Sequence, residues 1–379
     1  MLAPEARGAE GSDAQLPFPV VRLPGSPQML FGLRAARALL ALRRPPDIVH
    51  VHGVGGLPYL LLPARHRAPV VATVHSLRRV QYPLMRSLDD VIEPVREILG
   101  GDGLPDGRSY SPLRPKVLQE YMTERLICTR AMHLALVADH MRAAVERLFG
   151  VDSSRCCVTY NGTSLARRAE EKRNDRHIRR SLKLAPLDEV ILFVGRLTWL
   201  KRPHLPVMAL PALLRERPRA KLVCVGGGPL EGMLRGLAGR LGVSQSVRFV
   251  PWVPFERVEA FYRAARCLCL PSISEGMPKV VLDAMAAGVP VVASDIPAHR
   301  DLLEDGRLGT LVREPLPACW AAAIRSALGS RLALTKAGAA ERRVDERYRW
   351  SHVAERLDEA YRAALEAAAS VLAATVRIA

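Results

Sequence analysis

Charged residues at fixed distances from predicted strand ends are the first candidates for chemistry in this 379-residue chain. Arg196 and Lys201 follow a predicted strand that ends at Gly195, while Glu275 and Asp283 lie on either side of a predicted helix start. An arginine can bind two phosphate oxygens at once, and a lysine adds a point charge. The N–H groups at a helix start can bind further oxygens. The pattern therefore predicts a site for a diphosphate.

Residue types mark both ends of the helix that follows Glu275. Pro278 suits a first helical position and Gly288 suits the turn after a helix, so Glu275 precedes the helix and Asp283 lies inside it. The backbone N–H groups of residues 276–280 can then bind sugar hydroxyls or phosphate oxygens. Two simpler interpretations stay open: Glu275 only complements the helix N-terminus, and Asp283 is an exposed helix residue. The apolar neighbours of Asp283 favour a buried partner for it.

Two further turns follow predicted strands in the same half of the chain. Gly226 and Gly227 come directly after a strand that ends at Val225. Trp252 and Val253 follow the next predicted strand. Glycine permits tight turns, and the backbone near Trp252 could edge a nucleobase. Taken alone, each of these segments is equally well explained as an ordinary turn.

The elements that must position these residues are short apolar runs alternating with helical patterns, which predict βαβ units and parallel sheets. In the second half the predicted strands are Val190–Val194, Lys221–Val225, Val247–Val250, Cys267–Leu270, Pro290–Ala293 and Thr310–Val312. In the first half they are Pro19–Leu23, Ile48–His52, Val70–His75, His133–Val137 and Cys157–Tyr160. The predicted fold is α/β, with two Rossmann-like doubly wound domains that face a cleft.

The predicted domain boundaries follow from these elements. They are a disordered start at 1–16, a first Rossmann-like domain at 17–162, a linker with a solvated helix at 163–187, a second Rossmann-like domain at 188–345, and a C-terminal helix at 346–379 that packs back across the first domain. Residues 78–116 form a long irregular insertion of unassigned function.

Composition excludes several classes of protein. The net charge is +17, but 55 basic residues with only seven lysines leave 48 arginines spread along the chain without a nucleic-acid motif. We therefore expect no nucleic-acid partner, and attraction to an anionic membrane face instead. Seven cysteines without a C-x-x-C pair argue against disulfides or zinc and fit the cytoplasm. No apolar run approaches the length of a membrane span.

Together the motifs carry a resemblance that none carries alone. The order and spacing from about residue 190 to 313 resemble the donor domain of the family-4 glycosyltransferases, which are retaining enzymes of the two-domain GT-B type. The motifs are G-R-L with Lys201, V-G-G-G-P at 225–229, V-P-W-V-P at 250–254, P-S-I-S-E-G-M-P-K-V-V-L-D-A-M-A-A-G at 271–288, and D-G-R-L-G at 305–309. Weaker similarity includes Pro46–His52, Val74–His75, Asn161–Gly162 and Trp350–Tyr361.

The resemblance implies a role for each matching residue. Arg196 and Lys201 match the pair that grips the donor diphosphate, and Glu275 matches the first carboxylate of the E-x7-E motif, which contacts the transferred sugar. Asp283 stands where the second glutamate binds ribose hydroxyls, which puts that hydrogen bond in doubt because Asp is one methylene shorter. His75 matches a histidine on the acceptor side. The remaining implied donor contacts are Gly195, Gly226, Gly227, Trp252, Val253, Gly276, Met277, Pro278, Lys279 and Val280.

The implied activity is transfer of a hexose from a nucleotide-diphosphate sugar to a hydroxyl of a glycan, lipid or small molecule. The chain contains no D-x-D, so we expect metal-independent transfer without a cofactor. We expect it in the cytoplasm, with the inner membrane face as a candidate location. Two alternatives stay open: a GT-B phosphorylase, and a non-catalytic nucleotide-sugar-binding protein.

The start of the chain departs from the pattern of the family. Family members open with a strand, a Gly-rich turn and a helix, and no segment before Pro19 predicts these elements. We therefore expect the first domain to be truncated and unstable, because a missing central strand leaves unpaired backbone groups at a sheet edge.

Overall fold

The computed structural model describes residues 2–4, 21–23, 28–77, 95–99, 115–165 and 176–376. The chain divides into two compact units. Of the described residues, the first unit holds those up to 77, together with 115–160 and 354–376. The second unit holds 95–99, 161–165 and 176–353.

The second unit is a doubly wound domain around a parallel six-stranded sheet. Its strands are β7 (Glu189–Val194), β8 (Ala220–Val225), β9 (Val247–Val250), β10 (Cys267–Leu270), β11 (Val291–Ser294) and β12 (Thr310–Val312). They lie in the order β12-β11-β10-β7-β8-β9, and every neighbouring pair is parallel. The predicted sheet is confirmed, and its order places β7 beside β10 at the point where the winding reverses direction.

Helices separate these strands along the chain. They are α5 (Arg176–Ser181), α6 (His204–Glu216), α7 (Glu231–Arg240), α8 (Phe255–Ala264), α9 (Lys279–Ala286), α10 (Pro297–Leu303), α11 (Pro317–Gly329) and α12 (Arg331–Arg347). Strands covered on both faces read as continuous apolar runs, and every residue of β10 is buried, including Cys267 and Cys269. The two cysteines are therefore buried strand residues, as the sequence predicts.

The first unit contains a parallel sheet of four strands in the order β3-β4-β5-β6. These are β3 (Val49–His52), β4 (Val70–Val74), β5 (His133–Leu136) and β6 (Cys156–Val158). The helices of this unit are α1 (Gln28–Leu40), α2 (Leu57–Leu60), α3 (Pro115–Arg130) and α4 (His140–Phe149). With the second unit, this confirms two parallel-sheet α/β domains.

The last helix, α13 (Trp350–Val376), continues from the second unit into the first. Ala364 belongs to one buried cluster with Val71 of β4 and Ala135 of β5. His50 of β3 contacts the hydroxyl of Tyr361 through Nδ1 at 2.8 Å. The C-terminal part of the helix therefore packs on the sheet of the first unit.

Three details of the predicted organisation need correction or lie outside the described residues. Leu2–Pro4, predicted within a disordered start, form a strand, β1, that pairs in parallel with β2 (Val21–Leu23). Three residues carry no alternation that a sequence pattern can register, so only the long-range pairing reveals this strand. Most of the predicted insertion at 78–116 lies outside the described residues, although 95–99 are helical.

The predicted linker helix is not fully solvated. Arg179 of α5 is buried, and its Nη2 donates to the carbonyl oxygens of Ala185, Pro186 and Asp188 at 2.7–3.1 Å. These bonds stabilise the turn that leads into β7. A sequence pattern shows a charged run there but not the carbonyl groups that bind one of its arginines.

None of the helices in the described part of the chain combines the length and apolar composition that a membrane crossing requires.

His50 gives the first unit a specific acid sensitivity. Burial, followed by the neighbouring His52 and His75, lowers the pKa of His50 from 6.5 to about 4. Below about pH 6.5 the unfolded chain therefore binds a proton at His50 that the folded chain does not bind, and the free energy of unfolding decreases as pH falls from 6.5 towards 4. The full pKa shift corresponds to on the order of 3 kcal/mol.

The urea midpoint of the unaltered chain should therefore decrease between pH 7.5 and 5. His50→Gln should make this decrease smaller, whereas His66→Gln, at an exposed histidine, should not. An equal decrease in both variants would show that His50 is not its origin.

Candidate active site

The candidate site lies at the carboxyl ends of β7 and β10, the position where open α/β sheets bind ligands. The loops after these strands are joined by a backbone hydrogen bond of 2.9 Å from Ile273 N to the carbonyl oxygen of Leu200. The loop after β7 is tied to β8 in the same way, from Gly195 N to Val225 O at 2.9 Å. These bonds hold the predicted diphosphate residues and the predicted sugar residues on one scaffold.

Lys201 and Glu275 form an ion pair across this junction. Lys201 ends a short 3-10 turn after β7, and Glu275 lies in the loop after β10. Their side chains are only 17% and 12% exposed, respectively. The structure therefore brings together a cation and a carboxylate that are 74 residues apart in sequence.

Arg196, the other predicted cation, is exposed directly after Gly195. Among the described residues no carboxylate or carbonyl group holds its guanidinium. Gly195 has a φ of 147°, a region that favours glycine, and it turns the chain sharply at the end of β7. The loop therefore carries one partly buried, paired cation and one exposed cation that has no carboxylate or carbonyl partner in the described part of the chain.

The glycines after β8 are required by close backbone contacts. Gly226 has a φ of 128°, and a Cβ added there would lie 2.2 Å from the carbonyl oxygen of Gly195. A Cβ at Gly228 would lie 2.4 Å from the carbonyl oxygen of Leu197. Gly227, between them, has open space around its Cα. The loop after β8 therefore packs directly against the loop that carries Arg196.

Asp283 lies in α9 and is buried at 3% exposure, which excludes the interpretation of an exposed helix residue. Its Oδ1 accepts hydrogen bonds from Thr163 Oγ1 at 2.7 Å and from Lys279 Nζ at 2.9 Å. Burial raises the pKa of Asp283, while Lys279 and the two hydrogen bonds act in the opposite direction. Within the described ranges the carboxylate thus accepts two side-chain hydrogen bonds, both on the same oxygen.

The loop before α9 is held from the segment around Asn161. Asn161 Nδ2 donates to the carbonyl oxygen of Met277 at 3.2 Å. Pro278 is the N-cap of α9 rather than its first residue, since the helix begins at Lys279. The carbonyl oxygen of Val280 accepts a hydrogen bond of 3.1 Å from the Tyr262 hydroxyl. Gly276 lies between Glu275 and this fixed backbone and is half-buried.

The turn after β9 presents a different kind of surface. Trp252 is 75% exposed, and Val253 beside it is half-buried. An exposed indole that no partner covers in the described part of the chain leaves its ring face available to a flat ligand. This agrees in position with the predicted nucleobase contact, which stays a prediction.

His75, the one predicted site residue in the first unit, lies one residue after β4. Its Nε2 is 3.0 Å from Nδ1 of His52 at the end of β3, and both side chains are exposed. Burial lowers the pKa of each imidazole, and for His75 the neighbouring His52 lowers it further. The lowered pKa values favour neutral imidazoles, in which an N–H of one ring donates to the bare nitrogen of the other.

No group of three or more His, Cys, Asp or Glu side chains within the described ranges is arranged to hold a metal ion.

Three residues that support the site were missed as functional candidates from sequence. Thr163 and Asn161 contact α9 and the loop before it across more than a hundred residues of chain. Arg202 has a φ of 45° and donates from Nε to the carbonyl oxygen of Pro271 at 2.7 Å. The N-G dipeptide at 161–162 was the only sequence signal for any of them.

Two family models match the chain and together cover most of it. Residues 1–167 match the model described as "Glycosyltransferase Family 4". Residues 174–344 match the model described as "Glycosyl transferases group 1".

Curated relatives extend the match over most of the chain. A D-inositol 3-phosphate glycosyltransferase of Nocardia farcinica is 34% identical over 328 residues, which is 84% of this chain and 67% of that protein. D-inositol 3-phosphate glycosyltransferase 2 of Catenulispora acidiphila is 31% identical, over 84% of this chain and 71% of that protein.

Solved structures show the same fold at low sequence identity. HepE of Anabaena, in complex with UDP and glucose, superposes with a TM-score of 0.71 at 18% identity, over 94% of this chain and 90% of its own. Sucrose-phosphate synthase of Thermosynechococcus elongatus gives a TM-score of 0.70 at 21% identity, over 90% and 82% of the two chains.

The two neighbouring glycines after β8 provide a matched test of the site scaffold. Gly226→Ala places a methyl group against the Gly195 carbonyl and strains the backbone, so it should cost roughly 3 kcal/mol in the free energy of unfolding. Gly227→Ala meets open space and should change it by less than about 0.5 kcal/mol. Urea denaturation measures both. Equal stability of the two variants would contradict the close contact between the loops.

Proposed function

Because this chain belongs to the family-4 glycosyltransferases, we propose that it transfers a hexose from a uridine diphosphate sugar to a hydroxyl of a phosphorylated inositol, with retention at the anomeric carbon. Family membership makes it a nucleotide-sugar glycosyltransferase. The base, the sugar, the acceptor and the stereochemistry are what we propose.

The observation that carries the proposal is the Lys201–Glu275 ion pair at the carboxyl ends of β7 and β10. Lys201 supplies positive charge where a diphosphate binds. Glu275, in direct contact with the Lys201 ammonium group, supplies a carboxylate for sugar hydroxyls. Arg196, exposed on the same loop, adds a second cation that the diphosphate itself pairs with. The two ends of a nucleotide-diphosphate sugar thus each have a chemical partner.

The charges of these residues determine the chemistry. The bond between the anomeric carbon and the diphosphate oxygen breaks, and its electron pair stays on the diphosphate. Arg196 and Lys201 stabilise that leaving charge in place before the reaction starts. The acceptor oxygen forms the new bond on the face that the diphosphate leaves, and its proton passes to a departing phosphate oxygen. Glu275 holds the sugar ring while positive charge develops on it.

Uridine and a hexose are proposed from the fold neighbours and from the site. HepE was solved with UDP-glucose, and the exposed Trp252 offers a ring face beside the strand ends. Asp283 is proposed to receive the ribose hydroxyls through Oδ2, since both of its protein donors use Oδ1. The backbone of Gly276, Met277 and Pro278 faces the transferred sugar in this proposal.

A phosphorylated inositol is proposed as acceptor because the curated relatives named above act on D-inositol 3-phosphate. His75 is assigned to the acceptor side. Its hydrogen bond with His52 keeps one imidazole N–H directed between the rings and leaves the outer nitrogens for hydroxyl or phosphate oxygens.

Transfer is proposed to need neither a metal nor a cofactor. The chain has no D-x-D sequence that could hold a metal on the diphosphate, and Arg196 and Lys201 supply positive charge at that position instead.

A membrane-facing surface is proposed on α1 and the residues after it. Leu30, Leu33 and Leu40 are exposed on this helix at 41%, 58% and 54%. Arg37 and Arg43 are exposed beside them. Apolar side chains that can enter the interface, flanked by arginines that attract anionic head groups, are typical of helices that lie on membranes. All seven cysteines are free, which fits the proposed location at the cytoplasmic face.

The enzymatic test is release of UDP from UDP-hexoses in the presence of inositol phosphates, with NMR of the product to read the anomeric configuration. Arg196→Ala and Lys201→Ala should each lower turnover about 10²–10³-fold, as the loss of one preorganised donor does elsewhere. Arg219→Ala removes an exposed arginine at the amino end of β8, whereas the site lies at the carboxyl ends of the strands. This variant should leave turnover unchanged. Activity should persist in chelator.

Several outcomes would count against these assignments. Ordinary turnover in both Arg196→Ala and Lys201→Ala would remove the diphosphate role. Loss of transfer in chelator with recovery on adding a divalent ion would overturn metal independence. A product of inverted configuration, or transfer only with phosphate and no nucleotide, would point to another GT-B chemistry.

Membrane contact is tested by co-sedimentation with vesicles. The chain should bind vesicles that contain phosphatidylglycerol and not those of phosphatidylcholine alone, since the surface attracts anionic lipid. Leu33→Ser combined with Leu40→Ser should reduce binding at least about fivefold, because the side chains that enter the interface are lost. Leu332→Ser, at an exposed leucine of α12, is the matched control. Equal binding of both variants would refute the assigned surface.

A further inference from the structure

Residues 161–165, called here the crossing segment, belong to the second unit and start three residues after Val158, the last residue of β6. Gly162, Thr163 and Leu165 of this segment are buried. Gly162 lies against the indole of Trp350, where an added Cβ would be 2.5 Å from a ring carbon. Thr163 N donates to the carbonyl oxygen of Tyr348 at 3.0 Å. Because these contacts with Trp350 and Tyr348 hold the crossing segment in place, the segment can position the groups that it contacts on its other side.

On its other side the crossing segment contacts both ends of the loop and helix that carry the proposed donor contacts. Asn161 binds the carbonyl oxygen of Met277, before α9. Thr163 binds the carboxylate of Asp283, in the second turn of α9. The crossing segment therefore contacts this region at two separate points, one before α9 and one inside it.

The direction of the Thr163 hydroxyl is determined by its partners. Its oxygen accepts the backbone N–H of Leu165 at 3.1 Å, so its single hydrogen is left for Asp283 Oδ1 at 2.7 Å. Thr163 itself is fully buried at 0% exposure. A buried hydroxyl that accepts one bond and donates another has no freedom to rotate, and it fixes the plane of the carboxylate that it binds.

Lys279 alone would hold Asp283 less precisely. Its side chain is 38% exposed and reaches Oδ1 from the preceding turn of the same helix. A flexible, hydrated ammonium tolerates several geometries, whereas the hydroxyl of Thr163 comes from a rigid segment. The orientation of the second carboxylate oxygen therefore depends on Thr163.

We propose that Thr163 and Asn161 are positioning residues for donor binding: Thr163 orients Asp283 towards the ribose, and Asn161 orients the Met277 carbonyl and the backbone that faces the sugar. This deepens the proposed function and rests on it. Neither side chain touches the donor in this assignment. Each acts through a group that does.

The test separates nucleotide binding from sugar transfer. Thr163→Val keeps the shape and removes the hydrogen bond, so the Kd for UDP should rise about tenfold by calorimetry. Loss of the Thr163 donor also raises the pKa of Asp283 further. As pH is lowered, Asp283 should therefore become protonated, and UDP binding should be lost, at a higher pH than in the unaltered chain. Thr163→Ser should restore both. Asn161→Ala should raise the KM for UDP-hexose while the Kd for UDP stays within about twofold.

Controls make the outcomes decisive. Thr159→Val removes a buried threonine hydroxyl of the first unit and should leave UDP binding unchanged. In an Asp283→Asn background, Thr163→Val should add no shift to the pH profile, because the titrating group is gone. A folded Thr163→Val with unaltered Kd and pH profile would overturn the proposal, and so would a folded Thr163→Ser that behaves as Thr163→Val. If the unaltered chain binds no UDP, the proposed function fails instead.

Discussion

The ion pair between Lys201 and Glu275 is the interaction on which the rest of the site depends. It joins the loop after β7 to the loop after β10, at the place in this parallel sheet where the order of the strands reverses. Because both side chains have little exposure to solvent, removal of either one would leave the charge of the other uncompensated. A ligand that offers a diphosphate to Lys201 and hydroxyls to Glu275 replaces this pairing with two new ones.

Close backbone packing is the second constraint, and it explains the glycines. Gly195 turns the chain after β7, and Gly226 lets the loop after β8 approach the Gly195 carbonyl. A side chain at Gly226 would separate the two loops, and Arg196 would move with them. The position of Arg196 therefore depends on the absence of a side chain at Gly226. The packing of the two loops thus determines where the positive charge proposed for transfer lies.

The second unit was predictable because each buried parallel strand is an apolar run bounded by turns. The predicted strands agree with the observed ones to within about one residue at each end, and Arg196, Lys201 and Glu275 follow the strands after which they were predicted. What the sequence could not show depends on distant contacts. β1 exists through its pairing with β2, and the partners of Asp283 come from residues 161–165 and from its own helix. A pattern read along the chain registers neither.

In the proposed mechanism Lys201, held at the strand ends, receives the second phosphate of a nucleotide diphosphate. Calorimetry with UDP and UMP measures this contact, because the two ligands differ only in that phosphate. UDP should bind more tightly than UMP, and Lys201→Ala should reduce this advantage at least about tenfold. Glu275→Gln, which releases the lysine, should preserve the advantage. An unchanged advantage of UDP over UMP in folded Lys201→Ala would show that Lys201 does not bind that phosphate.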